Sequence, residues 1–269
     1  MTHLATQRTR DFHAQLRGKE NVYGVFVGSP TPFALDTIDS AGWDFVIIEG
    51  QHAPNSTADL AAALISLSHT GLPALVRVDG HEPYSIAKVF DAGAAGVIVP
   101  MVETVEQAEA IVAATRFRPR GVRSFGPIRS DLVGLRPAEL EERVFVFVMI
   151  ETALGLENAE AIAAVDGVDG IFAGMADLAI SRGQDPLHAY TSDAMKGDFA
   201  ELRRISDDAG IVLGAPAFGP ENAERWREYG CQLVTVSFES AIVGRATREA
   251  LEVLRPGSTP PRDESSPYS

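Results

Sequence analysis

The sequence predicts a closed (β/α)8 barrel, a TIM barrel in a single α/β domain, and three observations support this. Short apolar, β-rich runs recur along the chain at residues 22–27, 45–49, 74–78, 96–101, 144–151, 170–174, 211–216 and 233–238. Amphipathic stretches such as 57–69, 105–115 and 220–229 separate them. Strands that alternate with helices form βα units and a parallel sheet. The runs are apolar throughout, as strands covered on both faces are. Third, 269 residues suit one barrel of about 250 residues. A doubly wound open sheet is the competitor. It would usually carry fewer strands, and no G-x-G-x-x-G follows the first run.

Helix punctuation supports the same division. Ser56 or Thr57 can cap the helix over 57–69, which Gly71 stops, with Pro73 just beyond. Thr104 caps 105–115, and Gln107 completes a capping box. The longest irregular stretch runs from 118 to 136. Loops of that length are usually functional or hold a small helix. The expected organisation is an N-terminal segment over 1–20, the barrel over 21–256 and a disordered tail over 257–269, rich in Ser, Pro and charge.

Composition narrows the function. Hydrophobic residues make up 45% and charged residues 22%, ordinary globular values. A net charge of -14 argues against nucleic acid and anionic membrane, which need clustered Lys and Arg. A small anionic substrate remains open, because it needs only a local positive site. Cys231 is the only cysteine, so no intramolecular disulfide forms. A buried structural thiol is the expectation, and the usage suits a cytoplasmic protein. The first twenty residues lack the apolar core of a signal peptide. No apolar run approaches the ~20 residues of a membrane span.

In such a barrel, chemistry sits at the C-terminal ends of the strands. There the sequence places Glu49-Gly50-Gln51-His52, then Arg77, Glu151, and Gly174 followed by Met175, Ala176 and Asp177. Each alone could be a loop residue with a local hydrogen bond. Four polar strand ends converging on one mouth point to a site. Glu151 and Asp177 offer two hard oxygen ligands, a set that suits Mg²⁺ or Mn²⁺. The alternative is a solvated pair of acids. Arg77 can hold a carboxylate in bidentate fashion, or it can brace the barrel in a buried ion pair. His52 is the only one of six histidines directly after a predicted strand. It is a candidate acid–base, or else a loop histidine with a capping role. Lys19, Lys88 and Lys196 are the only lysines. None falls at a strand end, where a Schiff-base lysine would have to be. An aldolase built from this chain would therefore stabilise its carbanion with a metal.

These residues are similar to those of the HpcH/HpaI aldolases, class II pyruvate aldolases of the 4-hydroxy-2-oxoheptanedioate aldolase type. The resemblance covers roughly residues 22–255. It rests on GWDFVIIEGQHAPN, the LVRV run, FDAGAAGVIVPMVETVEQAEAIVAATRFRPRGVRSFG, VMIET and VDGVDGIFAGMADLAISRG together. It implies a (β/α)8 barrel, a divalent cation (Mg²⁺ or Mn²⁺, with Co²⁺ a further option) and pyruvate enolate chemistry. By position, it makes Glu151 and Asp177 the metal ligands and Arg77 the arginine that neutralises pyruvate. His52 becomes the acid–base, Glu49 its carboxylate partner, and Asp91 an aspartate that reaches a neighbouring subunit's site. The amides of Ala176 and Asp177 would hold the pyruvate carboxylate, beside Met149 and Gly174. Several positions depart from the family pattern. D-G-E-H is Glu49-Gly50-Gln51-His52 here, and the usual Gln before the metal Glu is Met149. G-P-A-D carries Met175, and Ser124 replaces a Gly. These changes bear on the acceptor aldehyde and on the strength of the His52 base.

The implied function is a metal-dependent lyase that reversibly cleaves 4-hydroxy-2-oxo acids to pyruvate, or a close 2-oxo acid, and an aldehyde. The implied assembly is a homo-oligomer, a hexamer by resemblance. The apolar face of the predicted helix 241–254 agrees with an assembly. An oxaloacetate decarboxylase or an acyl-CoA lyase would keep the enolate and change the bond. The CoA version calls for a basic patch by the mouth, which Arg116, Arg118, Arg120 and Arg123 could supply. A non-catalytic binding barrel is the remaining alternative. The intact set of Glu151, Asp177, His52 and Arg77 argues against it.

Overall fold

The computed structural model describes residues 4–189 and 193–257; most of the expected C-terminal tail lies outside the described residues. The strands are β1 (Val22–Val27), β2 (Phe45–Glu49), β3 (Ala74–Arg77), β4 (Gly96–Val99), β5 (Val146–Ile150), β6 (Gly170–Ala173), β7 (Val212–Pro216) and β8 (Leu233–Phe238). They close in sequence order into a parallel barrel, with β8 pairing back onto β1. The helices are α1 (Leu4–Arg17), α2 (Pro32–Ser40), α3 (Thr57–Ser66), α4 (Pro83–Asp91), α5 (Val105–Thr115) and α6 (Pro137–Glu141). After them come α7 (Ala153–Glu157), α8 (Ala159–Ala163), α9 (Met175–Ser181), α10 (Asp193–Asp208), α11 (Pro220–Glu228) and α12 (Glu239–Leu254). The fold is the (β/α)8 barrel that the alternation predicts. The expected capping box of Thr104 with Gln107 forms on α5, and Ser56 is the N-cap of α3, where it makes a further box with Asp59. Among the described residues no helix is long and apolar enough to cross a membrane.

A strand in a closed barrel sends alternate side chains inward. Phe45 and Ile47 of β2, Leu75 of β3, Phe147 and Met149 of β5 and Phe172 of β6 pack together in the interior with Phe26 of β1. The residues between them, Val46, Ile48, Val76 and Val148, face the helices in the outer core. Large rings fit inside because glycine stands opposite them. A Cβ on Gly24 would lie 2.6 Å from the Phe45 ring, and one on Gly170 would lie 2.4 Å from the Phe147 ring. The inward parity has a consequence at the top of the barrel. Two residues beyond Ile47 is Glu49, two beyond Leu75 is Arg77, and two beyond Met149 is Glu151. The register sets Glu49 beside Arg77 across β2 and β3.

The other end of the barrel is closed by α1. Its Phe12 and Leu16 are buried in the interior cluster beneath Phe45 and Phe145. His13 donates from Nε2 to the Ala95 carbonyl at 2.6 Å, and burial lowers its pKa to about 4, so it packs as a neutral ring. The 118–136 stretch belongs to this end as well. The Ile128 amide donates to the Asp91 carbonyl at 2.9 Å. Arg129 is paired with buried Asp131 at 2.6 Å and donates to the Gly93 carbonyl. The Thr6 hydroxyl of α1 donates to Asp131. The length of this stretch therefore serves an ionic brace, and the short α6 follows directly. At the C-terminus, α12 begins two residues before the expected 241. None of its residues is buried, and Val243, Leu251, Val253 and Leu254 are exposed. Cys231 is fully buried, which pushes its thiol pKa up, as expected of a structural cysteine.

If α1 is part of the core, Phe12→Ala should lower the unfolding free energy by about 3–5 kcal/mol. Phe33→Ala, at a side chain 83% exposed, should change it by less than about 0.5 kcal/mol. Denaturant midpoints measure both. Equal small effects would show that α1 is only an appendage.

Candidate active site

Glu49 and Arg77 form the centre of the mouth. Arg77 Nε donates to Glu49 Oε2 at 2.8 Å, and Nη2 donates to the same oxygen. Their side chains are 9% and 2% exposed. Burial this deep leaves either charge strongly dependent on the other. The second oxygen, Oε1, accepts the amides of Gln51 at 2.6 Å and His52 at 3.0 Å. The Asn55 side chain donates to the Glu49 carbonyl and to the Gly28 carbonyl, which ties this loop to the end of β1. Glu49 thus orients His52 through its main chain and spends its charge on Arg77. The described contact between Glu49 and His52 is this main-chain hydrogen bond. The bracing ion pair considered for Arg77 is present, and the guanidinium also faces the cavity, 5.0 Å from the Phe26 ring centroid.

Glu151 is 1% exposed. Its Oε1 accepts the Met101 amide at 2.6 Å. Met101 delivers that N–H from a left-handed backbone, φ 56°, a conformation uncommon for a non-glycine residue and often found at functional sites. The preceding carbonyl, Pro100, accepts from His81 Nε2 at 2.6 Å, which holds the turn. On the other side Glu151 lies against Gly174. A Cβ there would come within 2.4 Å of Glu151 Cβ and 2.7 Å of Oε2, so only glycine admits the carboxylate. Burial, then the neighbouring Asp177 charge, raises the Glu151 pKa to about 7 against the opposing Met101 hydrogen bond. Asp177 sits in the first turn of α9, which opens directly after Gly174.

A cavity of about 380 Å³ occupies the mouth. Arg77, His52, Met149, Gly174, Ala176 and Asp177 form one side. The opposite side is Phe26, Pro216, Phe218, Phe238 and Ala241, with the hydroxyls of Ser237 and Ser240. The sequence reading found the first side and missed the second, because aromatic residues in an apolar strand look like core. The available signal was position. Phe26 and Phe238 lie at the C-terminal ends of β1 and β8, where side chains reach the mouth.

Two expected positions lie elsewhere. Asp91 ends α4, at the opposite end of the barrel from its own cavity, and is paired with Arg123 at 2.7 Å. Within one chain it is a structural acid. The arginines 116–123 occupy the same far end. Arg123 is buried over the Phe117 ring, and Arg120 and Arg116 are held by Glu141. They make no basic patch at the mouth, and the support they would have lent an acyl-CoA reading falls away.

The raised Glu151 pKa has a stability consequence. The folded chain takes up a proton that the unfolded chain lacks between pH 4.5 and about 7. In metal-free protein this group's contribution is therefore full below pH 4.5 and lost as pH rises toward 7, on the order of 3 kcal/mol. Glu151→Gln keeps an acceptor for the Met101 amide. It should raise the melting temperature of metal-free protein at pH 8 and leave it nearly unchanged at pH 4.5. A lower melting temperature at pH 8 would contradict the burial argument.

Comparison with known proteins agrees with this geometry. The HpcH/HpaI aldolase/citrate lyase family matches residues 22–246. A hydroxypyruvate/pyruvate aldolase of Delftia acidovorans is 33% identical over 96% of this chain and 96% of its own. A 5-keto-4-deoxy-D-glucarate aldolase of Klebsiella pneumoniae is 31% identical over 91% of this chain and 96% of its own. A crystal structure of a family protein from Burkholderia cenocepacia superposes with a TM-score of 0.81 at 33% identity, covering 95% of this chain and 100% of that one. The barrel, the mouth carboxylates and these full-length matches together place the chain in the HpcH/HpaI aldolase/citrate lyase family of lyases.

Proposed function

We propose that this chain is a divalent-metal-dependent aldolase that reversibly cleaves 4-hydroxy-2-oxo acids to pyruvate, or a close 2-oxo acid, and an aldehyde. The observation that carries the reading is the pair Glu151 and Asp177 beside Arg77 at one mouth. Glu151 is buried against a second carboxylate with its pKa raised to about 7, an arrangement that a cation between them would relieve. Among the described residues no cluster of three or more His, Cys, Asp or Glu side chains is set to hold an ion. A cation here would therefore take two protein oxygens and leave its other positions to water and substrate, as Mg²⁺ does with one or two carboxylates. The residues present fit that group. When bound, it would supply Lewis acidity toward the 2-oxo group.

The chain's own groups have distinct tasks on this reading. Arg77, held rigid by Glu49, directs its remaining N–H groups to the substrate carboxylate. The Ala176 and Asp177 amides open α9 at the same place. His52 stands at the rim, where it removes the proton of the 4-hydroxyl in cleavage and returns it in the reverse direction. None of the three lysines lines the cavity, which agrees with carbanion stabilisation that needs no Schiff base.

Chelation should abolish pyruvate-forming cleavage, and Mn²⁺ or Mg²⁺ should restore it. Full activity after exhaustive chelation, or borohydride trapping of pyruvate on the protein, would sink the reading. Mn²⁺ binding should weaken sharply in Asp177→Ala, while circular dichroism reports a folded barrel. Arg77→Ala should cost about 30- to 1000-fold in kcat/KM for both aldol cleavage and oxaloacetate decarboxylation. Adding Glu49→Gln should recover stability, because it removes the stranded acid, without recovering the rate. His52→Ala should slow aldol cleavage by roughly 10²–10⁴ and spare decarboxylation, which removes no alcohol proton. Equal losses in the two reactions would show that His52 serves the metal or the enolate instead.

A further inference from the structure

The two sides of the mouth differ in kind. Charge is confined to the side built from β2, β3, β5 and β6. The side built from β1, β7 and β8 presents aromatic rings in series. Phe26 lies under the Arg77 guanidinium at 5.0 Å. Phe26 stacks on Phe238 with centroids 4.9 Å apart and planes at 16°, and Phe238 faces Phe218 at 6.5 Å and 26°. The series starts where the substrate carboxylate would be held and leads outward along the cavity. Glu239, next to Phe238, is turned away. Its Oε2 accepts the Gly28 amide at 2.6 Å and its Oε1 accepts the Ser29 amide at 3.2 Å. That clamp joins α12 to the end of β1 and keeps the carboxylate out of the cavity lining. Among the described residues of this chain, no charged side chain lines this wall, and Ser237 and Ser240 are its only side-chain polar groups.

We propose that this wall is the acceptor subsite, and that it selects an aldehyde with an apolar chain, aliphatic or aromatic, over one that ends in a carboxylate. The inference rests on the pyruvate aldolase reading above. In the synthetic direction, C3 of the enolate forms a bond to the aldehyde carbon. The C=O π pair moves to oxygen, which takes a proton from His52. The rest of the aldehyde then extends along the rings. An apolar chain there gains by leaving water. A terminal carboxylate would lose its hydration with no cation to meet it, because Arg77 is committed to Glu49 and the 2-oxo acid. The product class is a 4-hydroxy-2-oxo acid with an apolar group on C4.

The test uses the full chain with saturating Mn²⁺ and pyruvate. The acceptors are butanal and 4-oxobutanoate, equal in length and different in a terminal carboxylate. Formaldehyde, too small to reach the wall, serves as the reference. Butanal should exceed 4-oxobutanoate in kcat/KM by at least about tenfold, the scale on which one apolar or polar group discriminates in a closed pocket. Phe218→Arg places a cation on the wall at a half-buried position and should reverse or erase the ratio. Phe238→Ala should reduce it. A ratio taken within one preparation is independent of how much of a variant folds. Addition to formaldehyde with equal use of the longer aldehydes, or with 4-oxobutanoate preferred, would overturn the subsite and leave the aldolase reading standing. A ratio that survives both substitutions would also overturn it. No addition to any aldehyde, formaldehyde included, would overturn both.

Discussion

The buried ion pair between Arg77 and Glu49 is the constraint on which the mouth depends. Neither charge could sit alone in the barrel interior, where an unpaired ion costs several kcal/mol. The register of β2 against β3 puts the two residues side by side, so the backbone supplies the pairing geometry. The consequences spread from there. The oxygen that Arg77 leaves free captures the Gln51 and His52 amides and so fixes the loop that carries the histidine. The guanidinium, held on one edge by Glu49, presents its other edge to the cavity against Phe26. One pair therefore sets the position of the cation, the histidine loop and the base of the aromatic wall.

The charged layer exists because the barrel's inward parity runs one step past its packed core. Phe45, Ile47 and Glu49 lie on one side of β2, as do Leu75 and Arg77 on β3 and Phe147, Met149 and Glu151 along β5. The glycines opposite the rings let the lower layers fill with aromatic volume, so the charged groups come only where the strands end. Gly174 applies the same rule at the mouth, where its missing side chain is the space that Glu151 occupies. Stability and site come from one alternation, and the far end carries a second set of paired charges. There Arg129, Asp131 and Arg143 brace the floor under α1, and Arg123 pairs with Asp91.

Much of this was legible in the sequence. Eight apolar runs of strand length that alternate with helices, with no dinucleotide-type glycine motif after the first, favour a closed barrel over an open doubly wound sheet, so the architecture followed from spacing and count. Glu49, Arg77, Glu151, His52 and Asp177 were legible because a polar residue that ends an apolar run is conspicuous. What was hidden depended on partners rather than on pattern. Glu49 meets Arg77 because of strand register, which no single run reveals. The arginines 116–123 lie far from the mouth because α5 runs back down the barrel, and a loop's end of the barrel is easily overlooked when only its charge is read. The rings of Phe26, Phe218 and Phe238 look like core residues until their place at the strand ends is known. The left-handed Met101, which hands its amide to Glu151, has no sequence signature.

All of these features converge on one chemical requirement of the proposed function, a 2-oxo acid held so that its methyl proton becomes acidic. Exchange of the pyruvate methyl protons with solvent deuterium, followed by NMR, tests this without any aldehyde and without assuming which acceptor the chain uses. The account predicts exchange at C3 with Mg²⁺ or Mn²⁺ present, loss of exchange on chelation, and a comparable loss in Asp177→Ala. Absence of exchange in the metal-loaded protein, or exchange that persists after the cation is removed, would contradict it.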